Sequence, residues 1–495
     1  MSLWRTNILP SLATLWACLF CALLSSPARA DIALNADFSP AKDFASHIPL
    51  VILDYDQASP REDRLRIRVI DNKGEPNRLN DKAIFEDWVK LRTENNVEKS
   101  ENDAQKEYGG FRDRKGKNQS GKAGGEDKSS YQLFYAGASE SHDISISGLP
   151  EAKAWTLLGS NRDRSMLRTY LATQMGAVAG GFPVPQALHC ELFFRRNEKY
   201  TYQGLYLLAE HVEDGLFPVF GKKPKGESLI VPLVTAIDKD GVRTLEYEMP
   251  QDYPAVKTGP DEKMRELIDL LHSDDGVLFF RGLDKLELYS FADVYLLNAL
   301  MMNFPSDFLP FYFYRDAKGE VGLGAVWDFA YSLDNASTPF EFPYHWDKLY
   351  PWYDRLLESS RFNTILRKRF TELSRSEWNI VKLMQRVDVM AKLLLPSMRR
   401  DWQRWQDTYQ STEPRNTLNA RGELYIRKSS DPLEEINKIK YNLWQNNITL
   451  KKAMGDLKWK KVFFNEGKNT RKTVLTTGVF LALFFLVLIY ARRKM

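Results

Sequence analysis

The sequence predicts an α+β protein: a strand-rich N-terminal part, a helical C-terminal part, a signal peptide before them and one transmembrane helix at the end. Three observations predict it. Apolar and β-branched runs dominate up to about residue 212, helical periodicity dominates beyond residue 346, and both termini carry apolar stretches of distinct length.

The N-terminal stretch comes first. Arg5 precedes an apolar run from Leu12 to Leu24, followed by Ser25-Ser26-Pro27-Ala28-Arg29-Ala30. Ala28 and Ala30 form the small-x-small pattern of a signal-peptidase site, so residues 1–30 read as a signal peptide. As a membrane anchor the run falls short of the ~20 apolar residues a span needs. At the other end, Thr473 to Ala491 is uncharged and rich in Leu, Phe and Val, which fits a bilayer core; 492–495 would be a cytoplasmic tail. A terminal helix that is apolar all round has no polar face to show water, which argues against a buried core helix. Cations lie on both sides of this run, so the signal peptide sets the orientation. The expected address is the inner membrane, single-pass, with the body in the periplasm or outside the cell. Lys458, Lys460, Lys461 and Trp459 precede the span and are expected to rest on anionic headgroups.

Between the ends, Ile48–Asp56 and Leu65–Ile70 read as strands, and Lys90–Ser130 as a polar, loop-like stretch broken by Gly109-Gly110 and Gly124-Gly125. Tyr131–Tyr135 resumes a strand. Arg164–Val178 carries a mainly apolar stripe at helical spacing, with Asp163 placed as its N-cap. Strands follow at Leu188–Arg195 and Tyr202–Val212, joined by a hairpin connection at Arg196–Lys199. Helices are expected over Glu262–Leu271 and Lys285–Met302, then a hairpin of Phe311–Tyr314 and Val321–Val326. Beyond Trp346 the pattern is helical nearly to Lys452, with Arg386–Trp405 an amphipathic example. We divide the body into an α+β region, 31–345, and a helical part with a basic juxtamembrane segment, 346–470.

Composition excludes several functions. The 495 residues carry 69 Lys and Arg against 65 Asp and Glu, a net charge of +4, which lacks the basic concentration of a nucleic-acid protein. Of three cysteines only Cys190 survives signal-peptide removal, and it stands in an apolar context that suits a core position rather than a nucleophile. Six scattered histidines show no zinc-ligand spacing. The most suggestive chemistry lies in the 303–328 segment. A helix delivers Asn303 and Asp307, and a hairpin returns the chain to Asp328. Two carboxylates so placed can converge on one cation, or serve as a turn cap and a solvated acid. Glu210 ends an apolar strand and on spacing alone reads as a strand-end carboxylate.

Five segments in order resemble the CotH kinase-like family: Lys128-Ser129-Ser130-Tyr131; Trp155 through Arg168; Gly204-Leu205-Tyr206 through Glu210; Asn303 near Asp307; and Trp327-Asp328. The resemblance covers about Ile48 to Asn335. It implies an atypical protein-kinase-like fold binding ATP and Mg²⁺. Lys128 would sit on the nucleotide phosphates with Glu210 as its carboxylate partner, and Arg168 and Asp163 would be structural or nucleotide-facing. Asp328 would ligate the metal, with Asn303 beside it, and Asp307 would act as the catalytic base. The sequence departs from the family pattern where Pro305 holds the place of the turn acid and Ala330 that of a second strand-end acid. Two functions follow: transfer of the ATP γ-phosphoryl group to a protein hydroxyl, or a non-catalytic, kinase-like scaffold, with no cofactor, that binds an envelope or surface protein partner. The clustered aromatics Tyr344, Trp346, Tyr350, Trp352 and Tyr353 offer polysaccharide binding as a third reading.

Overall fold

The structure is a computed structural model that describes residues 34–59, 64–93, 128–137, 145–160, 163–182, 184–211, 231–237, 243–247, 267, 269–271, 273–302, 311–315, 320–324, 329–330, 332–333, 336–337, 351–410, 417–419, 422–426 and 429–456. The expected signal peptide and the apolar 473–491 run lie outside these residues. No helix among the described residues is long and apolar enough to cross a membrane.

Seven strands close into a barrel: β1 (Leu50–Ser59), β2 (Arg64–Ile70), β3 (Phe85–Thr93), β4 (Tyr131–Tyr135), β5 (Ala154–Leu158), β6 (Ala187–Arg196) and β7 (Lys199–Glu210). Their order around the barrel is β1-β2-β3-β4-β5-β7-β6. Every neighbouring pair is antiparallel except β1 and β6, which run parallel and close the ring. Alternation drives it: along β2, Leu65, Ile67 and Val69 point inward while Arg64, Arg66 and Arg68 stay partly exposed. The barrel is filled by Val51, Leu53, Ile67, Leu133, Trp155, Leu192 and Leu208. Closure leaves the sheet no free edge along its length. The β6–β7 turn runs through Asn197 and Glu198, both at positive φ, the conformation a two-residue hairpin requires.

α1 (Arg168–Ala179) crosses between β5 and β6 and ends at Gly180, which adopts the left-handed cap. A second sheet, ordered β11-β10-β8-β9, joins β8 (Val231–Ile237), β9 (Arg243–Tyr247), β10 (Phe311–Arg315) and β11 (Val321–Gly324). Helices α2 (Gly276–Leu283) and α3 (Leu288–Met301) lie between β9 and β10 in sequence. α3 is buried along nearly its whole length and is mainly apolar, and its buried Asp293 is paired with Arg369 at 2.7 Å. The C-terminal part holds α4 (Pro351–Leu357), α5 (Ser360–Arg375), α6 (Ile380–Gln410) and α7 (Pro432–Asp456). A three-stranded sheet of β12 (Ala336–Ser337), β14 (Gly422–Ile426) and β13 (Thr417–Asn419) interrupts the helices. One apolar core runs from Met166 and Leu171 of the α1 region through α3 to Leu443 and Leu450 of α7.

The sequence pattern places most elements within a few residues. The end of β3 departs from the expected loop and β13 and β14 from the expected helix, while β5 carries no expected element. Of β3, Phe85–Val89 precedes the expected polar loop and pairs with β2, and Lys90–Thr93 enters it and pairs with β4. The expected helix from Arg164 begins at Arg168 instead. Asp163 and Ser165 bond the intervening turn, and Met166 takes φ +54° there.

Candidate functional site

The site is built where α6 meets the barrel wall. β7 carries a bulge: Leu192 of β6 pairs with Gly204 and Phe193 with Tyr202, leaving Gln203 extra. Gly204 takes φ +134°, a conformation that suits glycine. A Cβ there would stand 2.5 Å from Asp401 Oδ1 and 2.9 Å from Trp405 Nε1. The bulge thus lets α6 bring Asp401 against the strand backbone. Asp401 Oδ1 accepts from Leu205 N at 2.8 Å and from Lys128 Nζ at 2.8 Å. Tyr409 donates to Asp401 Oδ2 at 2.7 Å, and its oxygen lies 3.3 Å from Lys128 Nζ. Trp405 donates to Gln203 O at 2.8 Å. The helix is non-helical at Trp405, between Asp401 on one side of the kink and Tyr409 on the other, and the two side chains meet at Lys128.

Lys128 is fully enclosed. Its side chain is 0% exposed, and Nζ lies 5.3 Å from the centre of the Tyr206 ring. Burial pulls its ammonium below the ordinary range, and the Asp401 charge opposes that pull. One residue before Asp401, Arg400 grips Glu191 of β6 with two bonds of 2.8 Å, and Tyr202 donates to the same carboxylate at 2.9 Å. Glu191 and Leu205 are cross-strand partners, so adjacent α6 residues hold both strands of one rung.

Arg168 forms a second buried cluster. Its Nη1 donates to Asp163 Oδ1 at 2.9 Å and to Glu435 Oε2 of α7 at 2.8 Å, and its Nε to Ser332 O at 3.0 Å. Burial works against its charge, but Glu435 and Asp163 hold its pKa above the ordinary value. Ser429 donates to the other Glu435 oxygen. Thr169 Oγ1 accepts from Phe329 N at 3.0 Å, fixing the described residue that follows Asp328. The cluster joins α1, α7, Phe329 and Ser332.

Glu210 stands apart from Lys128. It ends β7 opposite Trp155, is 1% exposed, and accepts from Gln186 N at 2.6 Å. Burial lifts its pKa to about 7, while the Gln186 bond lowers it. The expected Lys128–Glu210 pair is therefore corrected to Lys128–Asp401. The physical reason is reach: Glu210 lies five residues beyond Leu205, about 17 Å along the strand. Asn303, Asp307 and Asp328 lie outside the described residues. Among the described residues, no group of three or more His, Cys, Asp and Glu side chains could hold a metal ion.

Asp401, Tyr409, Glu191 and Glu435 escaped the sequence reading because nothing in their local spacing points to a partner 200 residues away. Gly204 was the available signal: a glycine inside an apolar strand marks a bulge or a close backbone approach.

A barrel clamped by a helical part through buried ion pairs, with a lysine at the junction, defines an α+β protein whose two parts are joined by buried charges. The match to known families gives the particular identification. Residues 117–473 match the model described as CotH kinase protein, and the chain belongs to that family. No curated protein matches it. The matched region begins ahead of Lys128 and leaves β1–β3 outside, although those strands complete the barrel.

Proposed function

We propose that this chain is a non-catalytic, kinase-like binding protein held at the outer face of the inner membrane, where it works in envelope or matrix assembly. One observation supports this most: the Lys128 ammonium is sealed from solvent and already bonded to Asp401 and Tyr409. A phosphate would find no open donor there. Reaching one would break a buried pair, a step that costs about 3–5 kcal/mol when one partner is lost. The proposed compartment, argued from the signal peptide and the 473–491 run, also has little ATP to offer.

A second reading is phosphoryl transfer from ATP to a protein hydroxyl, using Asp307, Asp328 and Asn303 with Mg²⁺. It is favoured by the Lys–carboxylate pair itself, because kinases require such a pair between a strand lysine and a helix acid. The deciding experiment uses the full chain purified in detergent with Mg²⁺ and labelled ATP. We expect no nucleotide-dependent rise in melting temperature and no label on the chain or a generic protein substrate. A rise abolished by Lys128→Met, with label transfer abolished by Asp328→Ala, would overturn the scaffold reading in favour of the second.

A further inference from the structure

The outward face of α7 is apolar where a helix on a protein surface is normally polar. Tyr441, Trp444 and Ile448 recur at helical spacing and are 60%, 45% and 47% exposed. The opposite face is fixed in the core by Ile436, Ile439, Leu443 and Leu450, and Asn446 bonds Leu300 O of α3 at 2.9 Å. The helix therefore cannot roll to hide the stripe. Lys451 and Lys452 continue the exposed face at its C-terminal end. On the neighbouring helix, Val389 and Leu393 are also exposed, at 70% and 50%. The Lys440–Asp388 bridge, 2.6 Å, joins the two helices one residue from Tyr441 and one from Val389.

We infer that this face lies on the surface of an anionic lipid bilayer, with Tyr441, Trp444 and Ile448 seated among the headgroups. The inference rests on the membrane attachment proposed above. Continuity and charge identify the occupant. α7 ends at Asp456, and sixteen residues, 457–472, connect it to the apolar run that starts at Thr473. Fully extended they reach about 55 Å, so the helix is tethered near the bilayer. Residues 451–472 hold eight cations (Lys451, Lys452, Lys458, Lys460, Lys461, Lys468, Arg471, Lys472) against Asp456 and Glu466. An amphipathic face with aromatics and flanking lysines seats about 5–10 Å into the headgroup boundary. A second copy of the chain is disfavoured by area, since a stable interface buries about 800 Å² per partner and three side chains on one helix present less. A surface that only orients an already anchored body needs no such area.

The test uses the full chain in nanodiscs of phosphatidylcholine with phosphatidylglycerol at about 3:1, a composition that supplies the anionic surface potential. An environment-sensitive fluorophore is attached at Ile448→Cys and, in a separate variant, at Lys73→Cys on the barrel, 66% exposed. The wild-type chain carried through the same labelling is the blank. We expect the label at 448 to be quenched by doxyl lipid and shielded severalfold from aqueous iodide, and the label at 73 to behave in the opposite way. A label at 448 as open to iodide as that at 73, on a chain that migrates with the discs, overturns the inference and leaves the anchor intact. Shielding from iodide without lipid quenching means a second copy or another protein covers the face, and also overturns it. A chain that leaves the discs sinks the anchor reading. The same label with free vesicles then decides the face alone: lipid quenching supports it, and its lack overturns it.

Discussion

Asp401→Asn tests whether the junction between α6 and the barrel is held by charge. Asparagine keeps the shape of the side chain and can still accept from Leu205 N, so packing is nearly unchanged. What is lost is the counterion of Lys128, 2.8 Å away in a site with 0% exposure. Removing one partner of a buried pair costs about 3–5 kcal/mol, because the other charge stays desolvated. The pH dependence gives a signature that simple misfolding lacks. The Lys128 pKa is already depressed by burial, and loss of Asp401 depresses it further. A cation depressed in the folded state makes the fold less stable below its unfolded value and regains stability as pH rises toward it. The defect of Asp401→Asn should therefore shrink as pH rises toward 10.5, the ordinary lysine value. Guanidinium titration of the full chain, followed by tryptophan fluorescence, measures it as a shifted midpoint at unchanged slope. Lys128→Met with Asp401→Asn should recover most of the loss, since it removes the stranded cation while the asparagine oxygen still accepts from Leu205 N. A single-variant cost below about 1 kcal/mol, the range of an exposed pair, or a double variant as unstable as the single one, would refute the reasoning.

Three further outcomes follow from the geometry. Gly204→Ala should destabilise by about 1–3 kcal/mol, because its Cβ meets Asp401 Oδ1 at 2.5 Å and the backbone sits at φ +134°; a neutral midpoint would remove the bulge from the account. Glu210 and His189 should oppose each other with pH. Glu210 titrates at about 7 when folded against an ordinary 4.5, so its contribution is full below 4.5 and is lost as pH rises through 7. His189, buried with its ring nitrogen donating to Met166 O at 2.7 Å, is held at about 4 against 6.5, so its contribution is full above 6.5 and is lost as pH falls toward 4. Relative to wild type, Glu210→Gln should gain stability as pH climbs from 4.5 to 7, and His189→Gln should gain it as pH falls from 6.5 to 4; denaturation midpoints across pH that show no such crossing would contradict both. Finally, burial raises the Cys190 thiol well above its ordinary pKa, so the native chain should resist a thiol-disulfide reagent. Unfolding should then release one thiol per chain if residues 1–30 have been removed and three if they remain.

Strands were legible in the sequence where burial alternates or an apolar run is bounded by turn residues. β1, β2, β6 and β7 satisfy that condition, and their spans agree within a few residues. β5 is only Ala154–Leu158, and its segment was read for its motif rather than its periodicity. The start of α1 was misplaced for a different reason. Asp163 has the chemistry of an N-cap, but Ser165 and the Arg168 side chain compete for the same carboxylate and hold a turn open ahead of the helix. The candidate site was half legible. Lys128 and Arg168 stood out only through the family resemblance, and both are buried beside carboxylates, as a charge taken out of water must be. Their partners were invisible, since Asp401 and Glu435 sit on amphipathic helices where an acid ordinarily faces water.

The junction also constrains what the kinase-like body can do. Arg400 and Asp401 are neighbours on α6 with opposite charges, and each meets its complement on one rung of the barrel, Glu191 on β6 and Lys128 beside β7. Buried pairs of this kind add little net stability over apolar packing, but they penalise every misdocked register by leaving charges unpaired. A slide of α6 by one turn would strand four charged groups at once. The arrangement therefore specifies a single docking of helix on barrel. It also couples that docking to Lys128. A ligand that draws the lysine away leaves Asp401 a buried carboxylate held only by Leu205 N and Tyr409, which weakens the hold of α6 on β7. By linkage, whatever strengthens the docking of α6 weakens a phosphate at Lys128 by the same free energy. Asp401→Asn would then raise the affinity of the chain for ATP if nucleotide binds at Lys128 at all. Calorimetric titration that finds no ATP binding in Asp401→Asn, in a variant shown by circular dichroism to be folded, leaves Lys128 as a structural clamp.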